Sequence, residues 1–271
     1  MSSIQRLVSR ARRLLFGPSF YELLDRVRRL EGDMSQQREL LEQFSRNPEA
    51  AWLYANRVER MDAQQELFDD RRRRFHIRRY EFACAYVQGQ QVADIACGTG
   101  YGAALLATGG EAAGVVGIDI SEEAIDYANR HYFNGQTQFL CCPATDTYLP
   151  EGSQDVVVSF ETIEHLEDEQ GLLTEFHRLL RPDGVLICST PNQWPLETSP
   201  FHVREYDLIS FREALSGRFH IEAMYNQNSG SGQFNRRQPE GIKPTTLDNA
   251  ALAECFIAVC RRRMDVGDEV R

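Results

Sequence analysis

The sequence predicts an α/β fold: a seven-stranded, mostly parallel sheet with helices on both faces, preceded by a helical extension. Three observations predict it. Short apolar runs alternate with amphipathic helical stretches from residue 90 onward, which is the pattern of a parallel sheet built from strand–helix–strand units. The first apolar run leads into a glycine-rich turn, and 271 residues suffice to bury a full core. Ligands of such sheets bind beyond the carboxyl ends of the strands.

The N-terminal region is predicted to be helical. Residues 4–15 place apolar side chains on one helical face, and apolar residues recur at spacings of three and four over 20–44, as in a coiled coil. Two interpretations remain open: a helical lid, or a dimerising coiled coil that follows a basic helix able to touch a membrane surface. We expect self-association through these helices. The predicted divisions are a helical region over 1–70, a catalytic domain over 71–264 and a disordered tail over 265–271.

The elements of the catalytic region follow from the change of hydrophobic period along the chain. A segment rich in Gly, Ser, Asn and Gln, from Asn226 to Gln233, indicates a long loop that is mobile or faces substrate. Helices are predicted near 101–108, 121–133, 166–181 and 206–216. Strands are predicted near 91–96, 114–119, 137–142, 155–160, 184–189, 218–225 and 254–261.

Charge is unevenly distributed along the chain. Residues 1–80 hold 17 Arg and 12 Asp or Glu, a net charge of +5, whereas residues 81–271 hold 13 Lys or Arg and 28 Asp or Glu, a net charge of −15. Proteins that bind nucleic acid through phosphates present a basic surface, so the acidic catalytic region argues against a nucleic-acid partner. The seven cysteines form no C-x-x-C pair, which indicates reduced thiols in a cytoplasmic protein. Neither a membrane-spanning run nor a secretory signal is evident in the sequence.

The glycine-rich turn is the most informative motif. The stretch from Asp94 to Gly102 contains G-x-G-x-G, not the G-x-G-x-x-G of dinucleotide folds. A second apolar run ends at Asp119, and Ser121 follows it as a predicted N-cap. Together these segments resemble the class I S-adenosylmethionine-dependent methyltransferases, which have a Rossmann-like sheet. The resemblance covers about residues 75–261.

The resemblance implies where the methyl donor, S-adenosylmethionine, binds. In the family the glycine turn holds its amino-acid part, and the acid after the second strand holds its ribose hydroxyls. A segment after the third strand lies near the adenine, and an upstream helix meets its carboxylate. The alternatives are structural: Asp119 as a turn residue, Arg79 on the surface and Tyr80 as a packing residue. The implied cofactor-binding residues are Asp94, Ala96, Gly98, Gly100, Asp119, Ile120, Ala144, Thr145, Asp146, Glu161, Arg79 and Tyr80.

A string of acids and a histidine follows the fourth strand. Glu161, Glu164 and His165 stand at i, i+3 and i+4, so a helical turn would place them on one face. Crowded carboxylates repel one another, and a divalent cation, Mg²⁺ or Mn²⁺, would relieve that repulsion. E-x-x-E-H resembles two metal-dependent groups of the family, one that methylates the terminal ribose of small RNAs and one that methylates catechols in ubiquinone synthesis. That resemblance implies His202 as a fourth ligand.

The alternative to a metal site is that Glu164 caps a helix and His165 acts as a simple general base. Both interpretations give transfer of a methyl group to a hydroxyl, with His165 and Glu164 as the candidate catalytic residues. A cation would lower the pKa of that hydroxyl. Without one, His165 would take the proton directly.

The acceptor is suggested only by resemblance. The strings S-F-E-T-I-E-H-L, S-T-P-N and F-H-V-R-E-Y together resemble bacterial methyltransferases associated with cell-surface polysaccharides. This implies O-methylation of a sugar hydroxyl of an O-antigen-type glycan, or lipopolysaccharide, near the inner face of a membrane. Trp194 is a candidate for stacking on a sugar ring or for packing. The alternatives are a quinone precursor or other phenol, an RNA ribose, and a cofactor-binding scaffold without activity.

Overall fold

A computed structural model describes residues 34, 38, 42, 46–56, 60–65, 68–199, 201–231 and 238–263. The chain forms two compact units, residues 1–56 and 57–271. In the first unit, helix α1 (Pro48–Ala55) begins after Asn47, whose side chain accepts a hydrogen bond from the Ala50 N–H. The predicted basic helix, most of the predicted coiled coil and the tail over 265–271 lie outside the described residues, so these remain predictions.

The second unit alternates strands and helices, and two 3₁₀ turns (Leu196–Thr198 and Ala250–Leu252) follow its fifth and seventh strands. Its helices are α2 (Asp70–Cys84), α3 (Tyr101–Thr108), α4 (Glu122–Tyr132), α5 (Glu169–Leu179) and α6 (Leu208–Ser216). Its strands are β1 (Gln91–Ile95), β2 (Gly114–Asp119), β3 (Thr137–Cys141), β4 (Gln154–Phe160), β5 (Leu180–Pro191), β6 (Phe219–Asn228), β7 (Gly241–Pro244) and β8 (Cys255–Arg262). Within the described part of the chain, none of the helices combines the length and apolar character needed to cross a bilayer.

The eight strands form one sheet in the order β3-β2-β1-β4-β5-β8-β6-β7. Strands β1 to β5 pair in parallel, and β8 runs antiparallel to both β5 and β6. The strand order reverses between β1 and β4, which is where sheets of this kind bind ligands beyond the carboxyl ends of their strands. The predicted α/β architecture, a mostly parallel sheet with helices on both faces, is confirmed.

Apolar side chains fill both faces of the sheet, because alternate residues of a strand point to opposite sides. In β1, Val92 joins one core with residues of α2, α3 and α4, whereas Ala93 joins the other with residues of α5 and α6. Polar caps fix where the helices begin: Ser121 Oγ accepts from the Ala124 N–H and Asp168 from the Gly171 N–H. The predicted cap at Ser121 is confirmed.

The structure corrects three sequence-based expectations. The sheet has eight strands rather than seven, because Gly241–Pro244 pairs antiparallel with the end of β6, and four residues with Gly and Pro at their ends give no period-two signal. Strand β6 runs to Asn228, so the predicted loop from Asn226 begins later. Helix α5 starts at Glu169 rather than near 166, since the Asp168 cap defines its first turn.

Candidate active site

Asp119 is fixed at the carboxyl end of β2 by backbone donors. Its Oδ2 accepts from the Gly98 N–H at 3.0 Å, and its Oδ1 accepts from the Ser121 N–H at 2.9 Å. The Cys97 N–H donates to the Ile118 carbonyl oxygen at 2.8 Å. The glycine turn and the end of β2 are therefore joined by hydrogen bonds, and the Asp119 carboxylate lies where the two segments meet.

Two glycines in this turn are required by close packing. A Cβ on Gly100, whose φ is +84°, would lie 2.6 Å from the Cβ of Ala128, and a Cβ on Gly102 would lie 2.0 Å from the Tyr80 ring. The turn also holds Ala96 at φ +62°, a conformation that costs an L-residue energy and is often found at functional sites. The backbone of the turn is thus packed directly against α4 and α2.

Tyr80 and Asp94 form a buried pair behind the turn. The Tyr80 hydroxyl donates to Asp94 Oδ1 at 3.3 Å, while Asp94 Oδ2 is buried and has no partner among the described residues. Burial raises the pKa of Asp94 to about 7, with the Tyr80 hydrogen bond opposing the shift and Asp119 adding to it. Asp94 therefore supports the turn from beneath rather than lining the open space above it.

A loop before α2, residues 60–65, covers the outer end of this region. Asp62 is fully buried and accepts hydrogen bonds from the Tyr127 and Tyr132 hydroxyls at 2.7 and 2.6 Å. From this anchored loop, Arg60 Nε reaches Asp119 Oδ1 at 3.2 Å. The sequence analysis missed Arg60, because it stands 59 residues from its partner and outside every periodic segment.

A first cavity of about 460 Å³ opens above the glycine turn. Of the residues predicted to bind cofactor, Asp94, Gly100 and Asp146 do not line it; Asp146 is exposed. Its lining also includes Arg60 and Met61 from the loop and His76 from α2. The predicted residues that do line it are Ala96, Gly98, Asp119, Ile120, Ala144, Thr145, Glu161, Arg79 and Tyr80.

Glu161 faces a different set of partners from the two other residues of its motif. Residues 161–168 form turns rather than the expected helical turn, and Glu161 has φ +52°. Its Oε1 lies 3.1 Å from Arg79 Nη1 and accepts from Ser189 Oγ at 2.9 Å. Because of this turn geometry, the carboxylate is drawn toward α2 and β5, and i, i+3, i+4 spacing does not bring all three side chains together.

Glu164, His165 and His202 do come together, with one ligand atom from each within 4.8 Å of the others. Glu161, the fourth predicted metal ligand, is not part of this group. Glu164 is 1% exposed; Thr190 donates to its Oε2, and its Oε1 has no hydrogen-bond partner within the described part of the chain. Burial, followed by the charge of Glu161, raises the pKa of Glu164 well above its usual range.

The tautomer of His165 follows from its contacts. His165 Nδ1 lies 3.0 Å from the Phe201 carbonyl oxygen. Since a carbonyl oxygen only accepts, Nδ1 carries the proton and Nε2 presents its lone pair. That Nε2 lies 3.8 Å from Glu164 Oε1. The ring of His202 meets the His165 ring edge-on at 4.8 Å, and burial, followed by the charge of His165, lowers the pKa of His202.

A second cavity of about 520 Å³ shares His76, Arg79, Glu161, His165 and Phe201 with the first. Its remaining walls come from the start of α2, from the segments after β4 and β5, from the segment after β6 and from the residue before β8. Both cavities therefore meet at His165. The residues that line the second cavity alone are Asp69, Arg71, Arg72, Phe75, Glu164, Pro191, Trp194, Ser199, His202, Ser229, Ser231 and Glu254.

Known sequences relate the chain to methyl-transferring proteins. Residues 93–188 match the family described as "Methyltransferase domain". An S-adenosylmethionine-dependent methyltransferase of Mycolicibacterium smegmatis is 34% identical over 53% of this chain and 57% of its own length. The ubiquinone biosynthesis O-methyltransferase of Albidiferax ferrireducens is 36% identical over 40% of this chain and 44% of its own. The chain spans about half the length of the first curated relatives it matches.

Solved structures support the fold. A chain from the complex between the Haloferax volcanii Trm112 methyltransferase activator and a methyltransferase superposes with a TM-score of 0.57. The match covers 72% of this chain and 94% of that chain at 19% sequence identity. At this identity the likeness is one of architecture alone.

Proposed function

We propose that the domain whose residues 93–188 match the methyltransferase family model is a class I S-adenosylmethionine-dependent methyltransferase and that it methylates a hydroxyl group of a sugar. The observation that carries the reaction type is the meeting of the two cavities at His165, whose Nε2 lone pair is free of the Phe201 contact. A transferable methyl in the first cavity and a hydroxyl in the second would then lie beside one proton acceptor.

The residues of the first cavity fit the methyl donor. Asp119 offers a carboxylate to a vicinal diol, and the adjacent backbone of Ala96 and Gly98 lines the same space. Arg79 is 1% exposed, and its Nη2 has no partner among the described residues; a buried donor left unmade costs about 1–3 kcal/mol. The carboxylate of the donor's amino-acid part would satisfy it. When bound, S-adenosylmethionine supplies a methyl group on a positively charged sulfur.

His165 performs the proton transfer in this proposal. The hydroxyl of the acceptor loses its proton to His165 Nε2 as the oxygen attacks, and the imidazolium that forms lies beside Glu164. Oε1 of Glu164 is buried and has no hydrogen-bond partner within the described residues, and an imidazolium at His165, whose Nε2 lies 3.8 Å from that oxygen, would favour the ionised form of Glu164 and pair with it. Glu164 thus stabilises the charged form of the base.

Glu164, His165 and His202 also form a donor set suited to a divalent cation, which is the second candidate chemistry. Two imidazoles and a carboxylate suit Mn²⁺, Fe²⁺ or Co²⁺ better than the expected Mg²⁺, which prefers oxygen ligands. A cation bound there would lower the pKa of the acceptor hydroxyl. Exhaustive chelation separates the two: a loss of turnover that Mn²⁺ restores supports the cation, and full turnover leaves His165 as the base. Mn²⁺ should also raise the melting temperature of the native protein but not of His202→Ala.

The walls of the second cavity support a sugar as acceptor. Phe75 and Trp194 supply aromatic surface, and Glu164 and Glu254 supply carboxylates; rings stack and carboxylates accept from hydroxyls in sugar sites. We propose that the acceptor is a glycan of the bacterial surface that is built at the inner face of the membrane. We also propose that the protein is cytoplasmic and associates with itself through its predicted N-terminal helices. A phenolic acceptor is the second candidate, favoured by the name of the Albidiferax relative.

Mass spectrometry tests the proposal directly. Surface glycans and quinones from cells with and without the protein are compared for a shift of about 14 Da, the mass of one added methylene. In parallel, purified protein is incubated with S-adenosylmethionine and methyl glycosides or catechol. A methylated glycoside supports the proposal, methylated catechol alone favours the phenol, and S-adenosylhomocysteine formation with neither would contradict both.

A further inference from the structure

Glu254 is a buried carboxylate that neither the motifs nor the proposed reaction uses. It directly precedes β8 and is 4% exposed. Its backbone is held on both sides: the N–H donates to the Gln227 carbonyl oxygen at 3.1 Å, and the carbonyl oxygen accepts from the Asn192 N–H at 3.0 Å. Its side-chain Oε2 accepts from the Ser229 N–H at 3.1 Å. The position of this carboxylate is therefore fixed by the fold.

The other oxygen of Glu254 is left without a partner. Oε1 is buried and makes no hydrogen bond within the described part of the chain. An unsatisfied buried oxygen costs about 1–3 kcal/mol, and more when it is charged. Glu254 lines the second cavity and does not line the first. A donor that satisfies Oε1 would therefore come from a molecule in the second cavity.

The charges around the second cavity indicate what kind of donor this is. Arg71, Arg72 and Arg79 line the cavity together with the carboxyl groups of Asp69, Glu161, Glu164 and Glu254, so the arginines offset the acids and the cavity has no large excess of negative charge that would call for a cationic ligand. A neutral hydroxyl can donate to Oε1 of Glu254 and adds no charge. Phe75 lines the same cavity. The Arg79 guanidinium lies over its ring, 4.7 Å from the centroid, and the rest of the ring supplies apolar surface for the apolar side of a pyranose.

We propose that Glu254 binds the acceptor by accepting a hydrogen bond from a hydroxyl other than the one that is methylated. This inference rests on the proposed function, because it places a polyhydroxylated acceptor in the second cavity. Glu254 is then a specificity-determining residue: it selects acceptors that carry a second hydroxyl at the right position relative to the reacting one.

The substitution Glu254→Gln tests this with almost no change of shape. The amide oxygen must stay on the Ser229 N–H, so the amide NH₂ takes the place of Oε1 and turns an acceptor into a donor. Protein saturated with S-adenosylhomocysteine is titrated with methyl α-mannoside, methyl α-rhamnoside and methyl α-galactoside by saturation-transfer NMR. We expect at least one glycoside to bind to the native protein, and we expect its dissociation constant to be at least tenfold higher for Glu254→Gln. Glu222→Gln, on an exposed side chain of β6 paired with Arg261, is the matched control and should bind normally.

Monodeoxy versions of the bound glycoside provide a second measurement that needs no variant. In the native protein, removal of one hydroxyl other than the methylated one should weaken binding about tenfold, and the same removal should have no effect in Glu254→Gln. Equal binding by Glu254→Gln and native protein overturns the inference, as does native protein that binds S-adenosylhomocysteine but no glycoside. Bound glycosides with no methyl transfer to any hydroxyl would instead contradict the proposed function and leave the Glu254 contact standing.

Discussion

Asp119 in the first cavity and the carboxyl groups of Glu164 and Glu254 in the second differ in how fully their oxygens are paired. Asp119 is fixed by two backbone N–H groups from its own neighbourhood. Glu164 and Glu254 each keep one buried oxygen without a partner in the described part of the chain. The difference teaches that the first carboxylate is satisfied by the fold itself, whereas each of the other two keeps an oxygen available to a ligand.

The same difference decides what sequence reveals. The turn after β1 and the acid after β2 are contiguous motifs, so their residues and their nearness follow from strand order in a parallel sheet. The helical turn expected for Glu161, Glu164 and His165 is not present. Glu161 has a positive φ and its carboxylate pairs with Arg79, and neither feature can be read from the spacing of the motif. The unpaired oxygen of Glu254 depends on where β6 ends and β8 begins, which no sequence pattern records.

Substitutions in the two cavities should also have different effects, and the largest effect is expected at His165. His165→Gln fills similar space but accepts no proton, so kcat should fall by about 10²–10⁴. Affinity for S-adenosylhomocysteine, measured by calorimetry, should be unchanged. His220→Gln, at an exposed position on β6, is the control. A kcat close to that of the native protein would mean that the base is another group.

The next effect concerns the first cavity. Asp119→Ala removes the carboxylate expected to receive two hydroxyl donors, and hydrogen bonds to a charged group contribute roughly 1.5–3 kcal/mol each. The dissociation constant for S-adenosylhomocysteine should rise about 100-fold. Asp126→Ala, on the exposed side of α4, should bind normally. Because Asp119 also holds the glycine turn, thermal unfolding is recorded for both, and unchanged affinity in a folded Asp119→Ala protein would dismiss the assignment.

A smaller effect is expected from the anchored loop. Arg60→Ala removes a partly exposed partner of Asp119, so the dissociation constant for S-adenosylhomocysteine should rise by roughly fivefold, an interaction of about 1 kcal/mol. The KM for acceptor should stay constant. The effect should weaken at high salt, since the pair is only partly buried. A change in acceptor KM instead would place Arg60 with the second cavity.

The last effect is on stability rather than on binding or turnover, and it reports on the buried Asp94 beneath the glycine turn. Between about pH 4 and 7 the folded protein keeps a proton on Asp94 that the unfolded chain has released, so this group makes stability fall as pH rises. Asp94→Asn keeps an acceptor for Tyr80 and removes the titration. From pH 5 to pH 8, native protein should lose roughly 2 kcal/mol more than the variant in urea unfolding. Parallel pH profiles would show that Asp94 titrates normally.

Because Asp62 anchors residues 60–65, the position of an N-terminal truncation matters. A shortened protein that starts at residue 57 keeps this carboxylate on the hydroxyls of Tyr127 and Tyr132. A protein that starts at residue 71 lacks Asp62, so the hydroxyls of Tyr127 and Tyr132 lose their acceptor and become exposed. Removal of residues 57–70 would therefore lower both the solubility of the protein and its affinity for the methyl donor.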